Sequence, residues 1–435
     1  MQGEAVELLS SYLKVDTSNP PGNESRAADF FVEILEREGI EYKTWEAAPG
    51  RASLKAVLPG TGDAGALLFL NHSDVVPADA SRWSADPFGG EVRDGFIYGR
   101  GALDMKGQGI AELVAMLELK RSGVALKRDL VFLAVADEEA GQGARGMCYL
   151  MDNHPDEFQA DVVINEGSFF ISDFLPGGRP LLAIATAEKG LCSLKLTRKG
   201  VPGHASSPSP DNALEMLVEA LSRLKAREPH PRVTRTVETM FAGLAKVVPE
   251  LRPYLATRSD AVLLELLHRA RLLDDPMIFP MLHDTISPTG MQSGGDINVI
   301  PELAVAQLDT RTLPGRTSAA MKRYIEDNLS DEKIELEYIQ RTEPSESPAD
   351  SEFFSAIGDV VSRDFENGLV VPTLLSGTSD STVFREKGIP AYGIFPVLIE
   401  QDELKRIHGI DERVSVENIN RAGKVYEELA VRLCT

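Results

Sequence analysis

ALLFLNHSD, residues 66–74, begins with a solid apolar run and ends in polar residues. Two further apolar runs follow, DLVFLAVA at 129–136 and DVVIN at 161–165, and a helical pattern at 107–123 separates the first two runs. Solid apolar runs that alternate with helices indicate strand–helix–strand units and a sheet covered on both faces. The sequence therefore predicts an α/β fold.

A second module is predicted from about residue 188 onward. Its pattern repeats strand, helix and strand, which is typical of an α+β module. The predicted elements are residues 191–200, 213–226, 299–311, 317–329 and 333–340. Asp211 is predicted to cap the first of these helices, because a short acidic side chain accepts a hydrogen bond from a free backbone N–H.

These regions predict a discontinuous catalytic domain with the second module inserted into it. We expect a catalytic domain from residues 1–187 and 344–435, and an inserted domain from residues 188–343. A mostly helical stretch, residues 228–284, lies within the inserted domain. The acidic, Pro- and Ser-rich segment 342–352 has the composition of a linker back to the catalytic domain.

The composition excludes several classes of protein. The 435 residues include 45 Lys and Arg against 67 Asp and Glu, a net charge of −22, which disfavours nucleic acid and anionic membranes as partners. No apolar run is long enough to span a membrane. Three scattered cysteines form no disulfide framework, and the N-terminus has no signal-peptide pattern, so we expect a cytoplasmic protein.

Residues capable of acid–base or metal chemistry follow each of the three apolar runs. They are His72 and Asp74, then Glu138 and Glu139, then Glu166. Ligands of open α/β sheets bind beyond the carboxyl ends of the strands, so these side chains are expected to meet. Taken singly, a His-x-Asp at the end of a strand is more often a pair of loop residues that satisfy each other than a metal ligand. A Glu-Glu pair more often lies on the solvated surface.

Two more residues extend this set: Asp104 before a predicted helix and His408 in a loop before the last one. Asp104 alone could simply cap its helix. Together, however, the carboxylates repel each other, by about 4 kcal/mol per pair at ~4 Å and an effective dielectric of about 20. Two divalent cations would balance three carboxylates and a hydroxide, and two imidazoles would complete a shell suited to zinc.

The motifs around these residues resemble the dinuclear zinc peptidase and aminoacylase family over almost the whole chain. They are LNHSDVVP, DGFIYGRGALDMKG, ADEEAGQGARG, INEG, PGHASSP, NVIP, LDTRTLPG, SGTSDS and IHGIDE. That family includes aminoacylase, carboxypeptidase S, carboxypeptidase G, acetylornithine deacetylase and succinyl-diaminopimelate desuccinylase, and the longer carboxypeptidase S-like members are the most similar. The resemblance implies a mixed open-sheet catalytic domain with an inserted α+β lid and dimerisation domain.

The resemblance also implies the metal ligands. His72 and Glu166 would bind one zinc ion, Glu139 and His408 the other, and Asp104 would bridge both. Two Zn²⁺ ions per chain are expected, with Co²⁺ or Mn²⁺ as substitutes. Family members often have a cis peptide bond directly after the bridging aspartate.

The roles of the remaining polar residues likewise follow from the resemblance. Asp74 would orient the imidazole of His72, and Glu138 would be the general base that takes a proton from the metal-bridging water. His204 would stabilise the oxyanion, often from the partner subunit of a homodimer. The alternative for His204 is a loop histidine bonded to a neighbouring serine.

Three residues are expected to contact the substrate. Arg311 is a candidate clamp for a substrate carboxylate, and Asn298 and the backbone around Gly377 resemble the other contacts of the family. The alternative for Arg311 is an ion pair with Asp309 or Asp296.

The expected function is zinc-dependent hydrolysis of the amide bond of N-acyl amino acids or short peptides with a free carboxylate. A carboxypeptidase is the nearest rival, amide synthesis at the same site would need no different residues, and a non-catalytic ligand-binding relative would have lost a ligand or the base. The stretch 228–284 is expected to form a dimer contact, a pocket wall or both.

Overall fold

The structure is a computed structural model that describes residues 3–62, 64–140, 144–227 and 229–435. Residues 141–143 of the motif ADEEAGQGARG lie outside the described residues, as do residues 1 and 2 of the expected first domain and residue 228, where the expected helical stretch begins. The helices are α1 (Glu4–Tyr12), α2 (Ser25–Glu38), α3 (Lys106–Ser122), α4 (Met147–Asn153), α5 (Ala213–Lys225), α6 (Arg235–Leu244), α7 (Arg252–Thr257), α8 (Asp260–Arg269), α9 (Phe279–Leu282), α10 (Ser318–Leu329), α11 (Glu352–Asp364), α12 (Ser381–Glu386) and α13 (Val416–Cys434). Short 3₁₀ helices span Ala80–Arg82, Pro155–Phe158, Pro249–Leu251 and Gln401–Arg406.

The strands are β1 (Glu41–Ala48), β2 (Arg51–Leu58), β3 (Leu67–His72), β4 (Glu91–Arg93), β5 (Phe96–Tyr98), β6 (Leu130–Val135), β7 (Val162–Leu175), β8 (Arg179–Glu188), β9 (Gly190–Lys199), β10 (Gly203–His204), β11 (Thr285–Ser293), β12 (Val299–Ile300), β13 (Leu303–Thr312), β14 (Ile334–Thr342), β15 (Ser345–Glu346), β16 (Leu369–Leu375), β17 (Ala391–Ile399) and β18 (Arg413–Ser415). The largest sheet has the order β1-β2-β6-β3-β7-β17-β8-β15, with β16 paired to β8. It is mixed, because β3 runs parallel to β6 and β7 while β2 runs antiparallel to β6. The fold is therefore α/β, as the sequence predicts.

The apolar runs that predict this sheet are buried on both faces. Along β3, Leu67 and Phe69 point into a core formed with α2, α3 and α13, and Leu68 and Leu70 point into a second core formed with α4 and α12. Side chains alternate between the faces of a strand, so a strand covered on both sides needs apolar residues at every position.

The inserted region forms a separate four-stranded sheet in the order β11-β13-β9-β14. Helices α5 and α10 cover one face of it, and the residues of β13 alternate between buried and exposed positions. The predicted cap of α5 is wrong. The side chain of Asn212 accepts from the backbone N–H of Leu214, and Asp211 instead pairs with Arg198 and Lys333.

Helices α6 to α9 belong to the stretch predicted as helical, and they pack on the large sheet. Val237 and Phe241 of α6, Leu267 of α8 and Val371 and Leu374 of β16 share one apolar core. The stretch between the strands of the small sheet therefore forms a layer over one end of the large one.

The third predicted strand differs from expectation at its carboxyl end. DVVIN was expected to end before Glu166, but β7 continues through Glu166 to Leu175. The pairing register with β17 shifts at this point, so Glu166 and Gly167 form a bulge that redirects the side chains. A Cβ atom at Gly167 would lie 2.7 Å from the Cα atom of Gly393, so this close approach of two strands requires glycine.

Among the described residues, none of the helices combines the length and apolar character that crossing a membrane requires.

Candidate functional site

Asp104 lies between two imidazole rings. It precedes α3, and its peptide bond to Met105 is cis. Its Oδ1 atom is 3.1 Å from Nε2 of His72 at the end of β3, and its Oδ2 atom is 3.1 Å from Nε2 of His408. Each oxygen of one carboxylate therefore faces a different nitrogen ligand, which is the arrangement that a residue bridging two cations needs.

Three more carboxylates complete the cluster. Oε2 of Glu139 is 3.2 Å from Nε2 of His408, and Oε2 of Glu166 is 3.8 Å from Nε2 of His72. Ligand atoms of His72, Glu138 and Glu166 lie within 4.8 Å of one another, and so do those of a second set, His72, Asp104 and Glu139. The structure thus brings together all five expected metal ligands and the expected base.

Crowding of these acids changes their protonation. Burial, and then repulsion from Glu166, raises the pKa of Glu138 well above its usual value. Burial also raises the pKa of Glu166, with repulsion from Asp104 and Glu139 adding to it. Hydrogen bonds to Asp104 and Glu139 raise the pKa of His408 to about 10. The surplus of acidic groups in the cluster therefore favours additional positive charge there.

The cations nearest in sequence do not supply that charge. Arg100 pairs with the buried carboxylate of Glu412. Lys106 donates to the backbone carbonyls of Tyr12 and Val15, and burial lowers its pKa to about 7. Carboxylates and imidazoles without a neutralising side chain are a donor set that fits divalent cations such as zinc.

The loop that carries Glu138 and Glu139 is held by Asp74. Oδ1 of Asp74 accepts from the backbone N–H of Glu138 at 3.1 Å, and Oδ2 accepts from that of Glu139 at 3.0 Å. Nδ1 of His72 lies 2.9 Å from the backbone carbonyl of Asp74 and 3.7 Å from its carboxylate. The carbonyl therefore orients the imidazole more directly than the expected carboxylate does.

The residues of the inserted region that were expected to act on the substrate do not join the acidic cluster. His204 is exposed, and its Nδ1 is 2.7 Å from the hydroxyl of Ser206. Asn298 lies beside it, because the N–H of Ala205 donates to the Asn298 carbonyl at 2.9 Å. Arg311 forms a two-bond ion pair with Asp309, with Nε to Oδ1 at 2.9 Å. Within the described ranges, no hydrogen bond joins these residues to the acidic cluster.

The segment after β16 contains Gly377, an expected substrate contact, and Asp380, a residue of the motif SGTSDS without an expected role. Gly377 is exposed, and it follows Ser376 at the edge of a large cavity. Asp380 is buried, and burial raises its pKa to about 7. Its charge also raises the pKa of Glu138 and Glu166, so Asp380 belongs to the same acidic cluster.

A cavity of about 980 Å³ opens beside Glu166, and sequence reasoning did not locate it. Gly167 and Ser168 line it at one side, next to the cluster. Its walls are mostly apolar and include Phe169, Leu175, Phe241, Leu244, Leu267 and Met281. Its volume is at the upper end of the roughly 300–1,000 Å³ typical of ligand pockets. Helices α6, α8 and α9 of the predicted helical stretch supply one wall of this pocket.

Comparison with known proteins identifies the family. The sequence pattern of peptidase family M20/M25/M40 matches residues 68–432. The chain belongs to this family. Peptidase family M20/M25/M40 members act on amide and peptide bonds, so the chain is a metallohydrolase of that kind.

Its relatives in peptidase family M20/M25/M40 include both acylases and peptidases. Human N-fatty-acyl-amino acid synthase/hydrolase PM20D1 is 30% identical over 370 residues, 83% of this chain and 73% of the relative. Rat aminoacylase-1A is 27% identical over 415 residues, 93% of this chain and 90% of the relative. The crystal structure of the M20 metallo-carboxypeptidase Sso-CP2 from Sulfolobus solfataricus superimposes with a TM-score of 0.73 at 22% identity, covering 98% of each chain. This last similarity concerns the fold alone.

Proposed function

We propose that the protein is a dinuclear zinc hydrolase that cleaves the amide bond of N-acyl amino acids. The observation that carries this proposal is the position of Asp104 between His72 and His408, with Glu139 and Glu166 completing the two ligand sets. Bound at these residues, two divalent cations would activate water and polarise the amide carbonyl.

The side chains of the chain itself would manage the proton and the substrate. Glu138 favours protonation more than an ordinary carboxylate, which suits a group that accepts a proton from the attacking water and returns it to the leaving amine. Arg311 would release Asp309 and bind the free carboxylate of the substrate in its place. His204 would donate a hydrogen bond to the oxyanion. Asn298 and the Gly377 backbone would complete the substrate contacts.

The apolar cavity supports an acylase with a long, apolar acyl group. A cleaved dipeptide has no segment that would fill about 980 Å³ of apolar space beside Glu166. Each methylene that is buried contributes about 0.8 kcal/mol, so a long acyl chain would gain affinity there. The name of the human relative, a hydrolase of N-fatty-acyl amino acids, agrees with this substrate. Carboxypeptidase action is the second candidate, since the chain shares its fold with Sso-CP2.

A substrate panel tests both candidates. Purified protein with zinc is assayed for amine release from N-acetyl, N-octanoyl and N-palmitoyl amino acids and from dipeptides with a free carboxylate. We expect the N-palmitoyl substrates to have the highest kcat/KM, and EDTA to abolish turnover. Faster release from dipeptides than from every acyl amino acid would favour the carboxypeptidase.

We also propose a cytoplasmic homodimer that acts on small molecules, without nucleic acid or membrane partners. All three cysteines are free, which suits a reducing compartment. Strand β11 lies at an edge of the small sheet, and Ile297, next to Asn298, is fully exposed. A second copy would cover such an edge and such a side chain. Light scattering that gives the mass of one chain would contradict the dimer.

A further inference from the structure

We propose that Arg51, Glu24 and Asn19 are positioning residues that fix the loop carrying Glu138 and Glu139; we call these three residues the positioning cluster. The inference rests on the proposed function, because it concerns the base and one ligand of that site. None of the three residues touches the acidic pair directly. They act on Asp137 and Asp74, which hold the loop.

The loop needs external support because of its backbone conformation. Asp137 directly precedes Glu138 and has a φ of +65°, in the left-handed region that residues other than glycine rarely adopt. It is also almost completely buried. Such a conformation persists only where the surroundings determine it.

Three consecutive backbone N–H groups of this loop donate to carboxylates from other segments. The N–H of Asp137 donates to Oε1 of Glu24 at 3.2 Å. Those of Glu138 and Glu139 donate to the two oxygens of Asp74. The loop therefore has little freedom to rotate while Glu24 and Asp74 stay in place.

Arg51 and Asn19 keep those carboxylates in place. The guanidinium of Arg51 contacts Oε2 of Glu24 and Oδ1 of Asp137, both at 2.6 Å. The amide of Asn19 donates to Oδ2 of Asp74 at 2.8 Å and to Oδ1 of Asp137 at 3.1 Å. A planar guanidinium with several donors is suited to holding two carboxylates in fixed directions.

All three members of the positioning cluster are buried, which makes their bonds effective. Arg51 and Asn19 are each 4% exposed and Glu24 is 0% exposed. Asn19 and Glu24 come from the turn-rich segment DTSNPPGNES between α1 and α2, and Arg51 begins β2. This segment therefore does more than connect two helices, because it supplies the support of the loop after β6.

The geometry of the loop matters because Glu138 and Glu139 are neighbours with different tasks. A small rotation about Asp137 would move Glu139 away from His408 and Glu138 away from the water that it deprotonates. Outer partners of metal ligands typically contribute about 10–100-fold to metal affinity or activity.

The test compares Arg51→Met with a matched control, Arg198→Met. Arg198 is 3% exposed and also pairs with two carboxylates, Asp211 and Asp331, but it lies in the small sheet. For Arg51→Met at saturating zinc we expect kcat to fall about 10–100-fold with KM changed less than about 3-fold, an altered visible spectrum of the cobalt form, and weaker zinc binding in equilibrium dialysis. Arg198→Met should leave all three unchanged even where it lowers Tm.

A further readout needs neither metal nor substrate. In hydrogen exchange on the metal-free protein, the peptide containing residues 137–139 should exchange faster in Arg51→Met than in wild type, and Arg198→Met should not change it. Unchanged exchange and an unchanged cobalt spectrum would overturn the proposal, and so would equal losses of kcat in both variants. If wild type hydrolyses no substrate, the proposed function fails while the exchange and dialysis results still decide the positioning role.

A second variant covers the case in which Arg51→Met does not fold. Asn19→Ala removes the amide that joins Asp74 to Asp137 and leaves the buried ion pairs intact. We expect the same loss of kcat and faster exchange of residues 137–139, and wild-type values for both would overturn the proposal.

Discussion

At the scale of single residues, the site depends on the directions in which the neighbouring side chains of Glu138 and Glu139 point. Glu139 faces His408 at 3.2 Å, while Glu138 groups with His72 and Glu166. Both residues follow β6, whose side chains alternate between the two apolar cores on either face of the sheet. Their backbone N–H groups donate to the same carboxylate, that of Asp74. In the proposed function, one of these adjacent residues is a metal ligand and the other is the base.

This division predicts the behaviour of Glu138→Gln. Glutamine keeps the shape of the side chain but cannot accept a proton, so zinc content should stay at two ions per chain while kcat falls by about 10²–10⁴-fold. Metal analysis and steady-state kinetics measure both quantities. Glu302→Gln, at an exposed position, serves as the control. A rate in Glu138→Gln close to that of wild type would remove Glu138 from the mechanism.

At the scale of elements, the cavity is formed by two parts of the chain that are distant in sequence. Strands β7, β8 and β16 form its floor, and α6, α8 and α9 form the wall above them. Exposed apolar side chains, Phe174, Leu272 and Met277, also belong to its lining. The cavity therefore runs from Gly167, the neighbour of Glu166 in the chain, to an apolar part of the surface.

Ala183→Phe should shorten the acyl chain that the enzyme accepts. Ala183 lies on β8 and lines the cavity, so a phenyl ring there would occupy the space of about four methylenes, or about 3 kcal/mol of burial. We expect kcat/KM for the N-palmitoyl substrate to fall about 100-fold while the N-acetyl substrate is unaffected. Ala320→Phe on the exposed side of α10 is the control. Equal losses for both substrates would mean that the cavity does not hold the acyl chain.

The strands and helices themselves were largely predictable from the sequence, whereas the contacts between them were not. The apolar runs predicted β3 and β6 because strands covered on both faces have an unambiguous pattern. The bulge at Glu166 was missed, although the glycine that follows it within an apolar strand is a known sign of one. A pocket wall was one expectation for residues 228–284, but the position of the cavity could not be predicted, since helix periodicity does not say against which sheet a helix packs.

The site residues show the same limit. The strand-end positions and the family resemblance predicted the grouping of His72, Asp104 and His408, which the structure brings within hydrogen-bond distance. The pairing of Arg311 with Asp309, one of the alternatives for that residue, depends on side-chain conformation that a motif does not encode. Whether His204 acts in its own chain or in a partner subunit depends on how two copies assemble. A single sequence carries no information about that assembly.

At the scale of the whole molecule, the acidic cluster makes metal content and stability interdependent. Without metal, the pKa values of Glu138 and Glu166 lie well above the usual 4.5, mainly because both are buried. An acid with a raised pKa in the folded state stabilises the fold below its unfolded pKa and loses that contribution as pH rises. His408, raised to about 10, also loses its contribution only as pH rises.

We therefore expect the metal-free protein to become less stable between about pH 5 and pH 8, and zinc to raise Tm more at the higher pH. Asp104, whose pKa is lowered by its hydrogen bonds to the two histidines, changes stability only in more acidic solution and leaves this window unaffected. Thermal unfolding with and without zinc at both pH values measures the effect. A zinc-induced increase in Tm that is equal at both would contradict it.

The place of β17 within the large sheet has a consequence for biosynthesis. This strand, residues Ala391–Ile399, pairs with β7 in the middle of the sheet, and His408 reaches Glu139 from 269 positions away along the chain. A ribosome must therefore synthesise the chain through β17 before the sheet closes. Until then the edge of β7 that pairs with β17 stays unpaired, and the set of proposed metal ligands is completed only once His408 has been synthesised.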